Sequence, residues 1–380
     1  MADWQTVSLG DALTFQRGFD ITKDEQRDGP YPVISSSGPK TTHAKFKVRG
    51  PGVIIGRKGS LGTVFFSDGD YWPHDTTLWI KDFHGNYPRF AYYFLQTMGF
   101  ERLDAGASNP SLNRNHIHTI PVLWPPLPVQ QRIAGILSAY DELIENNQRR
   151  IRILEEMARA LYREWFVDFR FPGHEKHPCV ASPLGEIPQG WEVKKLAQVA
   201  EVNRAQINAR SAPDEFHYID ISSVSPGQID TITTYAFADA PGRARRIVQH
   251  GDVLWSCVRP NRRSHAQVMR PETNTIASTG FAVLTATKVP FTFLYFATTT
   301  DDFVAYLTNN ATGAAYPAVT AATFEKADLL IPSAPLLKAF GESTIPVTEQ
   351  IHTLQRKIQN LRRTRDLLLP RMLSGAISVQ

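Results

Sequence analysis

The stretch IAGILSAYDELIENNQRRIRILEEMARALYREW, Ile133 to Trp165, decides how the rest of the chain is read. Ile133, Leu137, Tyr140, Ile144, Asn147, Ile151, Leu154, Ala158, Leu161 and Trp165 follow one another at spacings of 4 and 3 without a slip. That alternation is the a/d seam of a coiled coil. At about 1.5 Å per residue the segment predicts a rod of roughly 50 Å. A soluble protein seldom carries such a seam without a partner for it, and the alternative is an amphipathic helix packed on its own domain.

The facing helix is found by looking for an internal repeat. Phe340, Thr344, Val347, Ile351, Leu354, Ile358, Leu361, Arg365 and Leu368 lie 207 positions after seam residues of the first rod and keep its spacing. The text is related too: IENNQRRIRILEEMARAL against IHTLQRKIQNLRRTRDLL. Each rod follows a proline-marked entry, with Pro128 and Pro335 suited to a first helical turn, where no N–H is needed. Pro346 is expected to interrupt or kink the second rod, leaving a regular part from Val347 to Leu369. Upstream, WQTVSL matches WEVKKL, GVI matches GDVL, TTLWI matches TGFAVL, and PRFAYYFL matches PFTFLYFA, with an offset that drifts from 187 to 207. The common order makes the chain domain, rod, domain, rod.

Short β-branched and aromatic runs bounded by Gly, Pro and Asp, such as GVIIG, TVFFS and GDVLWSCV, read as strands. The predicted fold class is α+β: two mixed α/β domains separated by two long antiparallel coiled-coil helices, in a pseudo-two-fold repeat. The expected divisions are a first domain over residues 1–125, a first helix over 126–172, a linker and second domain over 173–334, and a second helix over 335–380. FPGHEKHPCVASPLGEIPQGW, rich in Pro and Gly, reads as linker.

With 380 residues, 42% hydrophobic and 21% charged, the chain has the composition of a globular protein. A net charge of +4 and a pI near 9.0 lean mildly towards acidic partners such as nucleic acid. Two cysteines, Cys179 and Cys257, form no disulfide framework and suit a reducing cytoplasm. No signal peptide and no apolar run of membrane-spanning length is evident, so a cytosolic protein is expected.

Catalytic signatures are missing. There is no Walker motif and no GxSxG elbow. Asn109-Pro110-Ser111-Leu112 falls short of an amino-methyltransferase site, and Glu192-Val193-Lys194 lacks the acidic partners of a metal nuclease. His174, His177 and Cys179 have no second pair to complete a zinc site, and His74-Asp75 reads as a turn leading into a strand. Two basic loops remain: Arg57-Lys58-Gly59-Ser60 after GVIIG, and Arg259-Pro260-Asn261-Arg262-Arg263 after GDVLWSCV. Each follows a strand at the matching place in its repeat. Arg and Asn can read base edges, while Lys and Ser usually meet phosphate. The candidate DNA-binding residues are Arg57, Lys58, Gly59, Ser60, Arg259, Asn261, Arg262 and Arg263. Arg243, Arg245 and Arg246 add charge in the second domain only, whereas the rod arginines read as solvated faces or partner contacts.

PLPVQQRIAGILSAYDELIENNQRRIRILEEMARALYREWFVDF, together with VRPNRR, STGFAVL, GVIIGRKGSLG and SPLGEIPQGW, resembles the specificity subunits of type I restriction–modification systems. The resemblance implies a non-catalytic subunit without a cofactor of its own, in which each domain reads one half of a bipartite, asymmetric site in double-stranded DNA. It further implies paired helices that set the gap, two methyltransferase subunits that methylate adenine at N6, and restriction/translocase subunits that join for cleavage. A divergent DNA nuclease and a coiled-coil scaffold without DNA specificity are the alternatives.

Overall fold

The computed structural model describes residues 4–104, 111–207 and 212–377. The chain divides into two compact units, one formed by Met1–Asn147 with Lys357–Gln380, the other by Gln148–Arg356. Each unit holds one mixed α/β domain with part of each long helix.

The long helices span Leu127–Phe166 and Ala334–Leu373, 40 residues each, with Pro128 and Pro335 at the second position. In the first unit, Ile133 and Leu137 from the start of one helix share an apolar cluster with Leu368, Met372 and Leu373 from the end of the other. In the second unit, Leu161, Tyr162, Trp165 and Phe166 from the end of the first helix cluster with Leu337, Phe340 and Val347 from the start of the second. Start meets end in both, so the segments run antiparallel within each unit. Every residue of the two predicted seams is buried or half-buried. The α+β class with paired long helices is the observed one.

One expectation about the second helix needs correcting. It runs through Pro346 without a break. Proline deprives the Glu342 carbonyl of its amide partner, but both residues lie on the exposed side, where water serves the carbonyl. Arg365, the misfit in the seam, is answered across the pair: its Nη1 donates to Asp141 Oδ1 at 2.5 Å. The Tyr93 hydroxyl donates to the other oxygen of Asp141, also at 2.5 Å. This triad ties the helix Pro88–Gln96 of the first domain to both long helices.

Both domains repeat one sheet plan. In the first, the strands Thr14–Arg17, Thr77–Asp82, Gly52–Gly56 and Val64–Ser67 lie side by side in that order, antiparallel throughout. In the second, Ala200–Val202, Phe281–Ala286, Val253–Ser256 and His265–Gln267 do the same. Each domain closes with an antiparallel pair leading to its long helix, Gln5–Ser8 with Pro121–Trp124 and Glu192–Lys195 with Asp328–Ile331. A further sheet contains a parallel pair in both domains. Only the second domain adds to that sheet the strand Ala244–Ile247, which carries Arg245 and Arg246.

The supposed linker is largely built. Cys179–Ser182 and Gly185–Pro188 form a hairpin, and Phe171, Ile187 and Trp191 enter the core of the second unit. The Pro and Gly residues serve its turns. His174 and His177 pack against the Phe171 ring instead of converging with Cys179, which is exposed.

Candidate nucleic-acid interface

The ladder of each domain delivers its basic loop to the same place. In the first, Gly56 pairs with Thr77, and the next amide, Arg57 N–H, donates to the Thr76 carbonyl at 2.8 Å. In the second, Ser256 pairs with Phe281, and Cys257 N–H donates to the Gly280 carbonyl at 2.8 Å. Both loops are then stitched to a second loop that precedes a short helix. Leu112 N–H donates to the Arg57 carbonyl at 3.0 Å, and Lys58 bridges Ser111. Val319 N–H donates to the Cys257 carbonyl at 2.9 Å, and Val258 bridges Ala318.

These pairings correct the alignment of the two candidate sites. Arg57 corresponds to Cys257, Lys58 to Val258 and Gly59 to Arg259, so the charges stand two residues apart along equivalent backbones. GASNPS (Gly106–Ser111) matches GAAYPA (Gly313–Ala318) at the same offset of 207 as the helices. That match is the signal in the sequence that could have found the second loop. Asn109 and Pro110 lie outside the described residues.

In the first unit the loop turns back on itself, with Gly62 N–H donating to the Gly56 carbonyl at 2.9 Å. A β-carbon at Gly56 would stand 2.0 Å from the Ser60 carbonyl oxygen, so the reversal needs glycine there. Lys58 is half-buried, while Gly59 and Ser60 are exposed. Arg57 is half-buried, and its Nη1 is enclosed without a hydrogen-bond partner. Burial first, then the charge of Arg17, lowers its hold on its proton, against the pull of Asp75. Asp75 is already engaged by Arg17 at 3.0 Å and lies 3.0 Å from His74 Nδ1. Arg17 holds that carboxylate and Arg57 feels only its field, which leaves a positive surplus suited to a phosphate oxygen or an acceptor on a base. The His74-Asp75 turn leads into the strand Thr77–Asp82 as read, and its Asp75 is the carboxylate that Arg17 engages.

In the second unit Asn261 and Arg262 are exposed and project from a short 3-10 turn, Pro260–Arg262. Arg263 is paired with Asp301. Arg259 lies over the Tyr316 ring, 4.4 Å from its centroid, and its Nη2 donates to the Ala315 carbonyl at 3.2 Å. Of the four candidates here, two are free to meet a ligand and two are engaged with the protein. Arg243 approaches Asp220 at 3.9 Å, and Arg245 lies over Phe237. The rod residues Arg150, Arg152, Arg356, Lys357, Arg362 and Arg363 are exposed.

Among the described residues no three His, Cys, Asp or Glu side chains converge as metal ligands. None of their helices is long and apolar enough to cross a membrane.

Comparison with known proteins agrees with this arrangement. Residues 1–156 match the model of the type I restriction modification DNA specificity domain family. The chain is 23% identical over 312 residues to the type I restriction enzyme MjaIX specificity subunit of Methanocaldococcus jannaschii, covering 77% of this chain and 69% of that one. It is 22% identical over 469 residues to the HindI specificity subunit of Haemophilus influenzae, covering 99% and 100%. In fold it resembles the crystal structure of the type I restriction–modification S subunit from M. genitalium, with a TM-score of 0.67 at 16% identity over 97% of this chain and 96% of that one. These relatives are type I restriction–modification specificity subunits, the family that the sequence resembles.

Proposed function

We propose that each domain reads one half of a bipartite, asymmetric site in double-stranded DNA, on behalf of partner subunits that perform the chemistry. The observation that carries this reading is the twice-built loop pair. A rigid ladder holds a basic loop against a second loop in both domains, yet the side chains presented differ. Arg17, Arg57, Lys58 and Ser60 serve one domain; Asn261 and Arg262 serve the other. Different side chains on one scaffold suit two unlike half-sites.

The first long helix supplies the surface for the partners. It exposes Ile136, Leu143, Ile153 and Met157. The matching positions of the second helix hold Ser343, Gln350, Asn360 and Thr364. Exposed apolar side chains at helical spacing suit a protein partner, here methyltransferase subunits that methylate adenine at N6, with restriction/translocase subunits joining the assembly. The chain itself is read as non-catalytic.

Sequencing of methylated adenines in cells supplied with the partner subunits tests this. Arg57→Ala with Lys58→Ala is expected to relax or abolish one half of the methylated motif, and Asn261→Ala with Arg262→Ala the other. A base-reading contact costs about 1–3 kcal/mol and relaxes its own position, while a phosphate contact weakens all sequences alike. Equal loss on all sequences for both pairs reduces the loops to electrostatic contacts. Insertion of seven residues into each long helix preserves the seam and lengthens each by roughly 10 Å. The gap is then expected to grow by about three base pairs at ~3.4 Å each. An unchanged gap with full methylation rules out the helices as spacers.

A further inference from the structure

In the second domain the loop Thr312–Ala318 is closed by reciprocal backbone hydrogen bonds of 2.8 and 2.9 Å between its ends. It is anchored to the basic loop by Arg259 N–H, which donates to the Pro317 carbonyl at 2.7 Å. Tyr316 sits on this loop and is 68% exposed, more than any other large apolar or aromatic side chain among the described residues. It is not loose. Arg259 covers one face of the ring at 4.4 Å while bonding the neighbouring Ala315 carbonyl. Arg259 has φ 51°, a left-handed conformation that a residue with a β-carbon adopts only where its surroundings impose it. The backbone is thus bent to set a guanidinium behind an exposed ring.

We propose that Tyr316 is the stacking residue of the second recognition domain, inserting its free face against a base step of the half-site which that domain reads. Arg259 is its positioning residue. The inference rests on the DNA-reading function proposed above. A ring backed by a cation on one side and open on the other offers a flat surface to a nucleobase, and every base has a face to match. The ring stands on an exposed loop and not in an enclosure, which suits insertion at a step over capture of an extruded base. Exposed Asn261 and Arg262 lie on the adjoining loop, so edge recognition and stacking fall to neighbouring groups. GASNPS places Asn109 where GAAYPA has Tyr316, so this device belongs to one half of the repeat.

The test uses the complex assembled with its methyltransferase partners, at one fixed salt concentration, on duplexes carrying the methylated motif. 2-Aminopurine replaces each base of the second half-site in turn. Tyr316→Ala is expected to weaken binding to the motif by about 5- to 150-fold, the range for loss of one base–aromatic stack. Tyr316→Phe is expected to bind as the unaltered complex does. Fluorescence at one position is expected to rise on binding of the unaltered and Phe complexes and to stay quenched with the Ala complex. Wild-type affinity and fluorescence in Tyr316→Ala overturn the proposal, while preference of the unaltered complex for the motif over a scrambled duplex keeps the DNA-reading function standing. Absence of that preference in the unaltered complex removes both. Loss of methyltransferase assembly in Tyr316→Ala, with DNA affinity intact in whatever assembles, makes the ring a protein contact and also overturns it.

Discussion

The two units hold their long helices by different chemistry. In the first, a shared carboxylate is added to the apolar cluster: Asp141 lies between Tyr93 and Arg365. In the second, rings take over: Phe340 is fully buried and lies about 5–6 Å from Tyr162, Trp165, Phe166, Phe293 and Phe296. The strand ladder, the helix length and the spacing of the seam agree in both. A backbone plan is fixed by register and hydrogen-bond pairing, and it tolerates any contents that fill the space and satisfy the polar groups. The duplicated chain therefore has two units of one plan and unequal chemistry.

The largest expected effect is in the aromatic cluster of the second unit. Phe340→Ala removes the ring on which the others converge and is expected to cost about 3–5 kcal/mol, read as a fall in the denaturant midpoint. A conservative Phe340→Leu that costs as much places the loss in cavity formation generally and not in the ring contacts.

Next is a pair of opposed titrations in the sheet of the second domain. Burial pushes the Asp252 carboxyl up to about 6, although Gln249 N–H and the Thr285 hydroxyl donate to it. Burial, then Arg159 and Arg263, pulls His265 down to about 4. A carboxyl raised on folding loses stabilisation as pH rises from about 4 to 6, and an imidazole lowered on folding loses it as pH falls from about 6.5 to 4. The two slopes oppose each other. Asp252→Asn is expected to make the protein less stable on acidification relative to wild type, by roughly 2–3 kcal/mol across that range. His265→Gln is expected to act in the opposite sense. Thermal melts at pH 4.5 and 6.5 check both, and parallel shifts in the two variants contradict the assignment.

In the first unit, Asp141→Ala removes the acceptor that Arg365 and Tyr93 share, leaving Arg365 its contact with Asp366 and the buried Tyr93 hydroxyl only a long one with Ser138. A loss of about 1–2 kcal/mol is expected, and Arg365→Leu in the same chain is expected to recover part of it, since an apolar residue suits the seam. The smallest effect belongs to Arg263→Ala. Its ion pair with Asp301 is exposed, and the urea midpoint is expected to stay in place.

What could be read from the sequence follows the same division. The helix pair was legible because its signal is one-dimensional: ten seam positions from Ile133 to Trp165 recur at 4 and 3, and every one is buried or half-buried. Pro346 was misread because tolerance of a proline depends on which side of the helix it faces, which the seam pattern predicts only once the pair is formed. The hairpin Cys179–Pro188 was hidden because Ile187 is its one buried β-branched residue, too weak a signal against so many Pro and Gly. Arg57 and Arg259 were matched by their charge, whereas their registers are set by the ladder pairs Gly56–Thr77 and Ser256–Phe281, each more than 20 residues apart in the chain. Contact of Arg259 with Tyr316 spans 57 positions and leaves no local trace beyond the GAAYPA match.

Arg365 also makes the two halves non-interchangeable. It lies 207 positions after Ala158, so the repeat offers a charged residue in one copy and a methyl group in the other. A half-length chain ending at Phe171, pairing with a second copy of itself, must use its own Ala158 where the full chain uses Arg365. Each Asp141 in such a self-pair then faces a methyl group and loses its cation. Ala158→Arg in the half-length chain is expected to restore that partner and raise the population of self-pairs in sedimentation equilibrium, whereas Ala158→Leu is not. Heterologous pairing is thus written into the molecule by one unmatched charge, which lets a duplicated protein keep its two halves joined in a single order.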